Sequence, residues 1–299
     1  MRRMFSTHRP PTSPPSSRPQ RAHWRGILLV AAIGLLVGLL YLPLLRWMGQ
    51  VTLHAGQVTN GAVLVFVALA ICSRNAITQL KFSPGINDWG LGLVGLAFLC
   101  LWLAGRLRPW SLPLVLLSFC LSFSGLVSFC FGKAGVRLFL PALGAFFVFG
   151  MLVGLAPKLD WPLRAMAARH VGNLLATLGA AVKVALVPGR PPELVLAVGG
   201  QVYAVATECN GFGLLTSALL VATILMFQHR MLWLQKLGLL ALAIPIAIVC
   251  NFLLIVCICL VAPRTALPYG FVHEAVGACF YFLGLGLIWL IANRQAANH

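Results

Sequence analysis

The chain alternates between long apolar runs and short segments that are polar or contain proline and glycine. Eight of the runs approach the roughly 20 residues that an α-helix needs to cross a membrane. They lie at about 27–45, 58–73, 89–105, 110–131, 136–156, 211–228, 237–262 and 272–292. The pattern predicts an all-α integral membrane protein with about eight transmembrane helices.

One long segment, 157–210, interrupts this series and has a different pattern. From Leu163 to Ala185 apolar residues recur at helical spacing among polar ones, which predicts an amphipathic helix at the membrane interface. Further on, two β-rich runs flank Gly199-Gly200 and predict a short β-hairpin. An open hairpin cannot lie in lipid, so we expect protein or water to cover it.

The ends of the chain and the long segment define three regions. Residues 1–25 are rich in Pro, Ser and Arg without an apolar period, and they predict a solvated basic tail. Residues 26–156 form a predicted N-terminal transmembrane bundle. Residues 157–293 form the region where we expect the chemistry.

Composition excludes most other classes of protein. The chain is 60% hydrophobic and 9% charged, whereas soluble domains carry about 25% charged residues. A soluble protein of this composition would expose too much apolar surface, and a disordered chain would be less hydrophobic. Nucleic acid is not an expected partner despite the net charge of +17, because the basic residues do not gather on a polar face.

The distribution of Lys and Arg predicts the orientation in the membrane. With the N-terminus in the cytoplasm, 13 of the 22 basic residues fall in cytoplasmic segments. Four fall in short outer loops: Arg46, Arg106, Arg108 and Arg264. The chain is therefore expected in the inner (cytoplasmic) membrane, with both termini in the cytoplasm and the segment 157–210 outside.

Candidate chemistry is concentrated at the outer ends of two helices. Eight of the nine cysteines lie inside apolar runs, and no spacing indicates a disulfide framework or a zinc site. Only Cys209 borders a polar segment, at the predicted start of the sixth helix, and His273 opens the eighth helix on the same side. A helix N-terminus favours a thiolate and a nearby histidine can accept its proton, so the two residues are a candidate nucleophilic pair. No cofactor or metal is expected.

From about Pro157 to Leu290 the sequence resembles the exosortase/archaeosortase family of membrane cysteine proteases and transpeptidases. The matching features occur in order: DWPLRAMAARHVGNLLATLGAAV, the hairpin, Cys209-Asn210-Gly211 for the family's Cys-Ser-Gly signature, PIAIVCNFLLIV, and His273 with Gly277. The resemblance implies a site of Cys, Arg and His open to the outer leaflet. It also implies substrates that are exported proteins with a C-terminal motif, an apolar span and a basic tail.

The resemblance fails at the family's arginine. Its Asn-x-x-Arg-Ile falls on Asn251 to Ile255, so that Leu254 replaces the arginine. Arg264, in the outer loop before His273, is the candidate substitute. The alternatives are an inactive homologue that binds sorting signals, or a non-enzymatic scaffold or transporter. We expect Asn251 to bond a neighbouring helix and His170 to be solvated.

Overall fold

The computed structural model describes residues 18–54, 56–187, 193–198, 200–204 and 210–297. Eight α-helices and three strands follow one another along this part of the chain. The helices are α1 (Arg18–Leu40), α2 (Leu42–His54), α3 (Gly56–Gln79), α4 (Asp88–Arg106), α5 (Ser111–Thr177), α6 (Phe212–Gln228), α7 (Trp233–Val261) and α8 (Tyr269–Ala297). The strands are β1 (Val182–Val187), β2 (Glu193–Val198) and β3 (Gln201–Ala204).

The fold is that of a multi-pass, mainly helical membrane protein. Within the described ranges, five helices are long and apolar enough to span a membrane, or six if the bent pair α1 and α2 forms one span. All eight apolar runs of the sequence fall in helices, but α6 has only 17 residues. It would reach about 26 Å, slightly less than the ~30 Å hydrocarbon core.

The first predicted span consists of two helices, α1 and α2, which bend by 54° at Tyr41. Pro43, in the first turn of α2, has no N–H to donate to the carbonyl of Leu39, and its ring clashes with that carbonyl, which accounts for the break. The hydroxyl group of Tyr41 is held by Ser118 at 2.5 Å and Ser122 at 3.1 Å. Helix α1 begins at Arg18, so residues 18–25 of the expected tail are helical, and residues 1–17 lie outside the described residues.

Helix α5 folds back on itself at Gly132, where φ is 66° and ψ is −165°. The two arms, 111–131 and 133–177, run antiparallel. The rings of Phe119 and Phe146, one from each arm, are in contact, with their centroids 4.8 Å apart. The thiol of Cys120 also donates to the carbonyl of Leu143. Two of the predicted spans, 110–131 and 136–156, therefore correspond to the two arms of one continuous element.

The second arm of α5 ends earlier than the sequence predicts, and the expected helix up to Ala185 is wrong beyond Thr177. Gly179, with φ of 86°, ends the helix. Its N–H donates to the carbonyl of Ala176, and the N–H of Ala180 donates to that of Leu175, which is a Schellman motif. Residues 182–187 then form β1, whose alternating β-branched residues suit a strand.

The three strands form an antiparallel sheet in the order β1-β2-β3. The hairpin predicted around Gly199-Gly200 is β2 and β3, with Val198 paired to Gln201. Leu194, Leu196 and Val198 alternate along β2 and are buried against α5 and the C-terminal half of α7. One face of the sheet is thus covered by protein, as the exclusion of open strands from lipid requires.

Helix α6 occupies the centre of the bundle. It packs against α3, α5, α7 and α8, and Thr216, Ser217, Ala218 and Leu220 on it are completely buried. The buried hydroxyl of Ser217 accepts a hydrogen bond of 2.8 Å from Tyr281 on α8. Because neighbouring helices pack around α6, the residues at its first turn are held in fixed positions.

Candidate functional site

The turn that starts α6 is built from Asn210 and Gly211. The Oδ1 of Asn210 accepts a 2.7 Å hydrogen bond from the N–H of Phe212, one of the amides that a helix start leaves without a partner. Gly211 has φ of 74°, a conformation that side chains disfavour. A Cβ there would lie 2.6 Å from Cγ of Asn251 on α7, so glycine is required on both grounds.

Asp160, on the second arm of α5, holds the other end of the Asn210 side chain. The Nδ2 of Asn210 donates to Oδ1 of Asp160 over 2.6 Å. The second oxygen of Asp160 forms an ion pair with Arg164, one helical turn later. The guanidinium of Arg164 lies 5.7 Å from the ring centroid of Trp161. Asn210 is therefore fixed by both of its side-chain heteroatoms.

Arg164 is buried more than is usual for an arginine, and its side chain is 15% exposed. Its Nε is buried and has no hydrogen-bond partner within the described ranges. A buried donor without a partner is costly, and such groups recur at sites that bind something else.

A cleft of about 270 Å³ adjoins the turn, between the second arm of α5, the start of α6 and the middle of α7. Its polar members are His170, Asn210 and Asn251. The remaining lining is apolar: Leu163, Met166, Ala167, Gly211, Leu215, Ile248, Val249 and Phe252. An apolar cavity with a few converging polar groups is the usual form of a binding site.

Cys209, the candidate nucleophile, and Glu208 beside it lie outside the described residues. The described residues on either side of them are informative. Asn210, covalently bonded to Cys209, contacts Asp160 and lines the cleft. On the other side, Tyr203 in β3 lies with its ring centroid 6.2 Å from that of Tyr269 at the start of α8.

His273, the second candidate, is half-buried in the first turns of α8. Its ring centroid is 6.0 Å from that of Tyr269, so Tyr203 in β3, Tyr269 and His273 form a row of aromatic rings. Burial raises the pKa of the Tyr203 phenol, with a smaller contribution from Cys259. The strand that leads toward Cys209 thus lies beside the start of α8, while the distance between Cys209 and His273 stays a prediction.

Arg264, the third candidate, is exposed at the end of α7. Its Nη1 donates a 2.5 Å hydrogen bond to the carbonyl of Leu260, one of the carbonyls that the end of α7 leaves open. Leu254, at the position where the resemblance leads one to expect arginine, is half-buried on α7. Arg164 is joined to Asn210 through Asp160, while the role of Arg264 stays a prediction.

Three residues of this site were not singled out as functional by the sequence: Asp160, Arg164 and His170. Asp160 is one of only five acidic residues in the chain, and Arg164 follows it at the i,i+4 spacing of a helical ion pair. That combination was the available signal. His170 was expected to be solvated; it is exposed and lines the cleft, and Asn251 lines the cleft as well as packing on Gly211.

No three His, Cys, Asp or Glu residues in the described ranges are placed to hold a metal ion. Comparison with known families identifies a match. The sequence model described as transmembrane exosortase matches residues 47–290, which is most of the chain. No curated protein and no solved structure matches the chain.

Proposed function

Because the chain belongs to the transmembrane exosortase family, we propose that it cleaves the C-terminal sorting signals of exported proteins as a cysteine peptidase or transpeptidase. The observation that carries this proposal is the fixed Asn210–Gly211 turn beside a cleft. The turn adjoins Cys209, and the buried helix α6 supports it. Precise positioning of a nucleophile contributes to catalysis because it lowers the entropy cost of the reaction.

In the proposed mechanism the thiolate of Cys209 attacks the scissile carbonyl and forms a thioester as the C–N bond breaks. His273 accepts the thiol proton and passes it to the leaving amine. Water or an acceptor amine then attacks the thioester, releasing the product and returning the thiol. The chemistry requires no bound cofactor.

The cleft is the proposed binding place for the residues around the cleaved bond. Its largely apolar lining suits side chains of an extended peptide, and His170 and Asn251 offer polar contacts to its backbone. The apolar span of the substrate would lie in the bilayer beside the protein. The basic tail would remain in the cytoplasm, in agreement with the positive-inside rule.

The proposed orientation places the cleft toward the outer face of the inner membrane and both termini in the cytoplasm. Contacts within the bundle support it. The N–H of Ser83 donates to the carbonyl of Cys130, so the α3–α4 loop with Lys81 lies at the same end as the α5 fold-back with Lys133. Both lysines belong to the predicted cytoplasmic set, and lysine is enriched in cytoplasmic loops.

A second candidate function is favoured by Leu254. An apolar residue at the family's arginine position on α7 is expected in a homologue that binds sorting signals without cleaving them. The cleft would then hold the signal and Cys209 would have no chemical role.

The two functions separate in the host organism when the chromosomal gene is altered to encode Cys209→Ala. C-terminal peptides of exported proteins are compared by mass spectrometry between this strain and the unaltered one. The peptidase predicts that uncleaved apolar and basic tails persist only in the Cys209→Ala strain. Identical C-termini in the two strains, together with altered ones in a full deletion, would identify the binding protein.

A further inference from the structure

The contact between Asp160 and Asn210 joins two charged residues of α5 to the turn that follows Cys209 in the chain. The chain contains only five acidic residues, and in this contact the side chain of Asp160 is 24% exposed. Removing a carboxylate and a guanidinium from water is unfavourable unless their geometry satisfies both. The contact of Asp160 with Asn210, at the start of α6, accounts for the presence of this ion pair.

We propose that Asp160 and Arg164 are positioning residues that hold Asn210 and set the charge around the thiol of Cys209. The inference rests on the proposed function, in which Cys209 is the nucleophile. It assigns to α5 the cation that the family resemblance leads one to expect on α7.

The choice of asparagine at position 210 supports this assignment. A hydroxyl group offers its donor and acceptor at one atom, whereas an amide offers them at two separate atoms. Asn210 uses both, since Oδ1 accepts from Phe212 and Nδ2 donates to Asp160. A serine, as in the family signature, is shorter than asparagine. The asparagine at position 210 is therefore explained by its contact with Asp160.

The positions of the other cations support it too. Leu254 supplies no charge, and Arg264 donates to the carbonyl of Leu260 at the end of α7. Arg164 is joined by two successive contacts to the residue that is covalently bonded to Cys209. Its buried Nε is a further donor without a partner in the described segments.

The test measures the rate at which N-ethylmaleimide alkylates Cys209 in the purified full-length chain at pH 7, by mass spectrometry of the Cys209 peptide. The rate follows the thiolate fraction. Arg164→Met and Asn210→Asp each make the site more negative and are expected to slow alkylation about three- to tenfold, which is about half to one pKa unit. Asp160→Asn makes the site more positive and is expected to accelerate alkylation by a similar factor.

The exchange variant Asp160→Asn with Asn210→Asp restores both charge and contacts. The new amide at 160 accepts from Arg164 and donates to the new carboxylate at 210, which still accepts from Phe212. Its alkylation rate is expected to lie within about twofold of the unaltered protein, a change small against the tenfold effect of one pKa unit. If Arg164→Met does not fold, Arg164→Gln takes its place, because it keeps a polar contact to Asp160.

Arg169→Met is the matched control, since Arg169 is an exposed arginine on the same arm of α5. Its alkylation rate is expected to be unchanged. A purely structural role for the pair would loosen the turn and move all the single variants in one direction. The inference is therefore overturned unless Asp160→Asn and Arg164→Met change the alkylation rate of Cys209 in opposite directions.

The inference and the proposed function fail separately. Unchanged exported C-termini in the Cys209→Ala strain would end the peptidase proposal while leaving the alkylation rates as a test of the charge around the thiol. If C-terminal cleavage depends on Cys209 but the alkylation rate does not change when Asp160 or Arg164 is substituted, the inference is wrong and the proposed function stands.

Discussion

Gly211 packs directly on Asn251, and this contact joins the start of α6 to the middle of α7 beside the cleft. The Cys-Ser-Gly signature that this segment resembles also ends in glycine, and the contact gives a physical reason for a glycine at this position. The glycine combines φ of 74° with a Cβ position that Asn251 occupies. No other residue meets both conditions without moving α7.

Gly211→Ala is expected to destabilise the protein by about 1–3 kcal/mol, from the strained backbone and the displaced Asn251. The melting temperature of the purified protein in detergent measures the change. Gly238→Ala is the matched control, because a Cβ at Gly238 meets open space and alanine favours helices. An equal fall in melting temperature for both variants would contradict the close contact at Gly211.

The sequence predicted the helices well because the apolar runs are long, and it predicted the β2–β3 hairpin from its glycines. It extended the amphipathic helix too far, because Val182 continues the helical spacing of the apolar residues. The left-handed backbone at Gly179 ends the helix, and this local signal comes from the glycine and not from the spacing of the apolar residues.

The site was predicted less completely. Asn210 stood out because it follows Cys209 in a recognisable signature. Asp160 lies 50 residues earlier, and a contact over that distance leaves no local pattern. Only the scarcity of acidic residues and the spacing of Asp160 and Arg164 gave a hint.

The orientation is tested by labelling intact cells with a membrane-impermeant maleimide. In a Cys209→Ala background, Ser6→Cys, in the N-terminal segment, is expected to be protected until the membrane is permeabilised, because its neighbours are basic and basic segments stay in the cytoplasm. Arg190→Cys, between β1 and β2 in the chain, is expected to react at once. The reverse pattern would place the cleft on the cytoplasmic side and would contradict the proposed export role.

The two histidines that the proposed function uses, His273 and His170, are expected to differ in their kinetic effects. His273→Ala should lower kcat about 100-fold or more, as the loss of a general base does. His170→Ala should mainly raise KM, because His170 lines the cleft and is proposed to contact the substrate without taking part in the chemistry. For both variants, kcat and KM are measured with an exported protein as substrate, chosen because its uncleaved tail accumulates in the Cys209→Ala strain. A large fall in kcat for His170→Ala alone would exchange their roles.

Arg264→Ala tests whether the outer-loop arginine takes part in the reaction. Its Nη1 contacts the carbonyl of Leu260, and a cation at the C-terminal end of a helix stabilises it by about 0.3–1 kcal/mol. The variant is therefore expected to lower the melting temperature slightly and to leave kcat almost unchanged. Arg164→Met should instead lower kcat about three- to tenfold, in proportion to its effect on the thiolate fraction of Cys209. Arg264→Lys is the control, because it keeps the charge at the end of α7. Loss of cleavage in Arg264→Ala as complete as in Cys209→Ala would make Arg264 the catalytic cation and would leave Arg164 with a role in folding only.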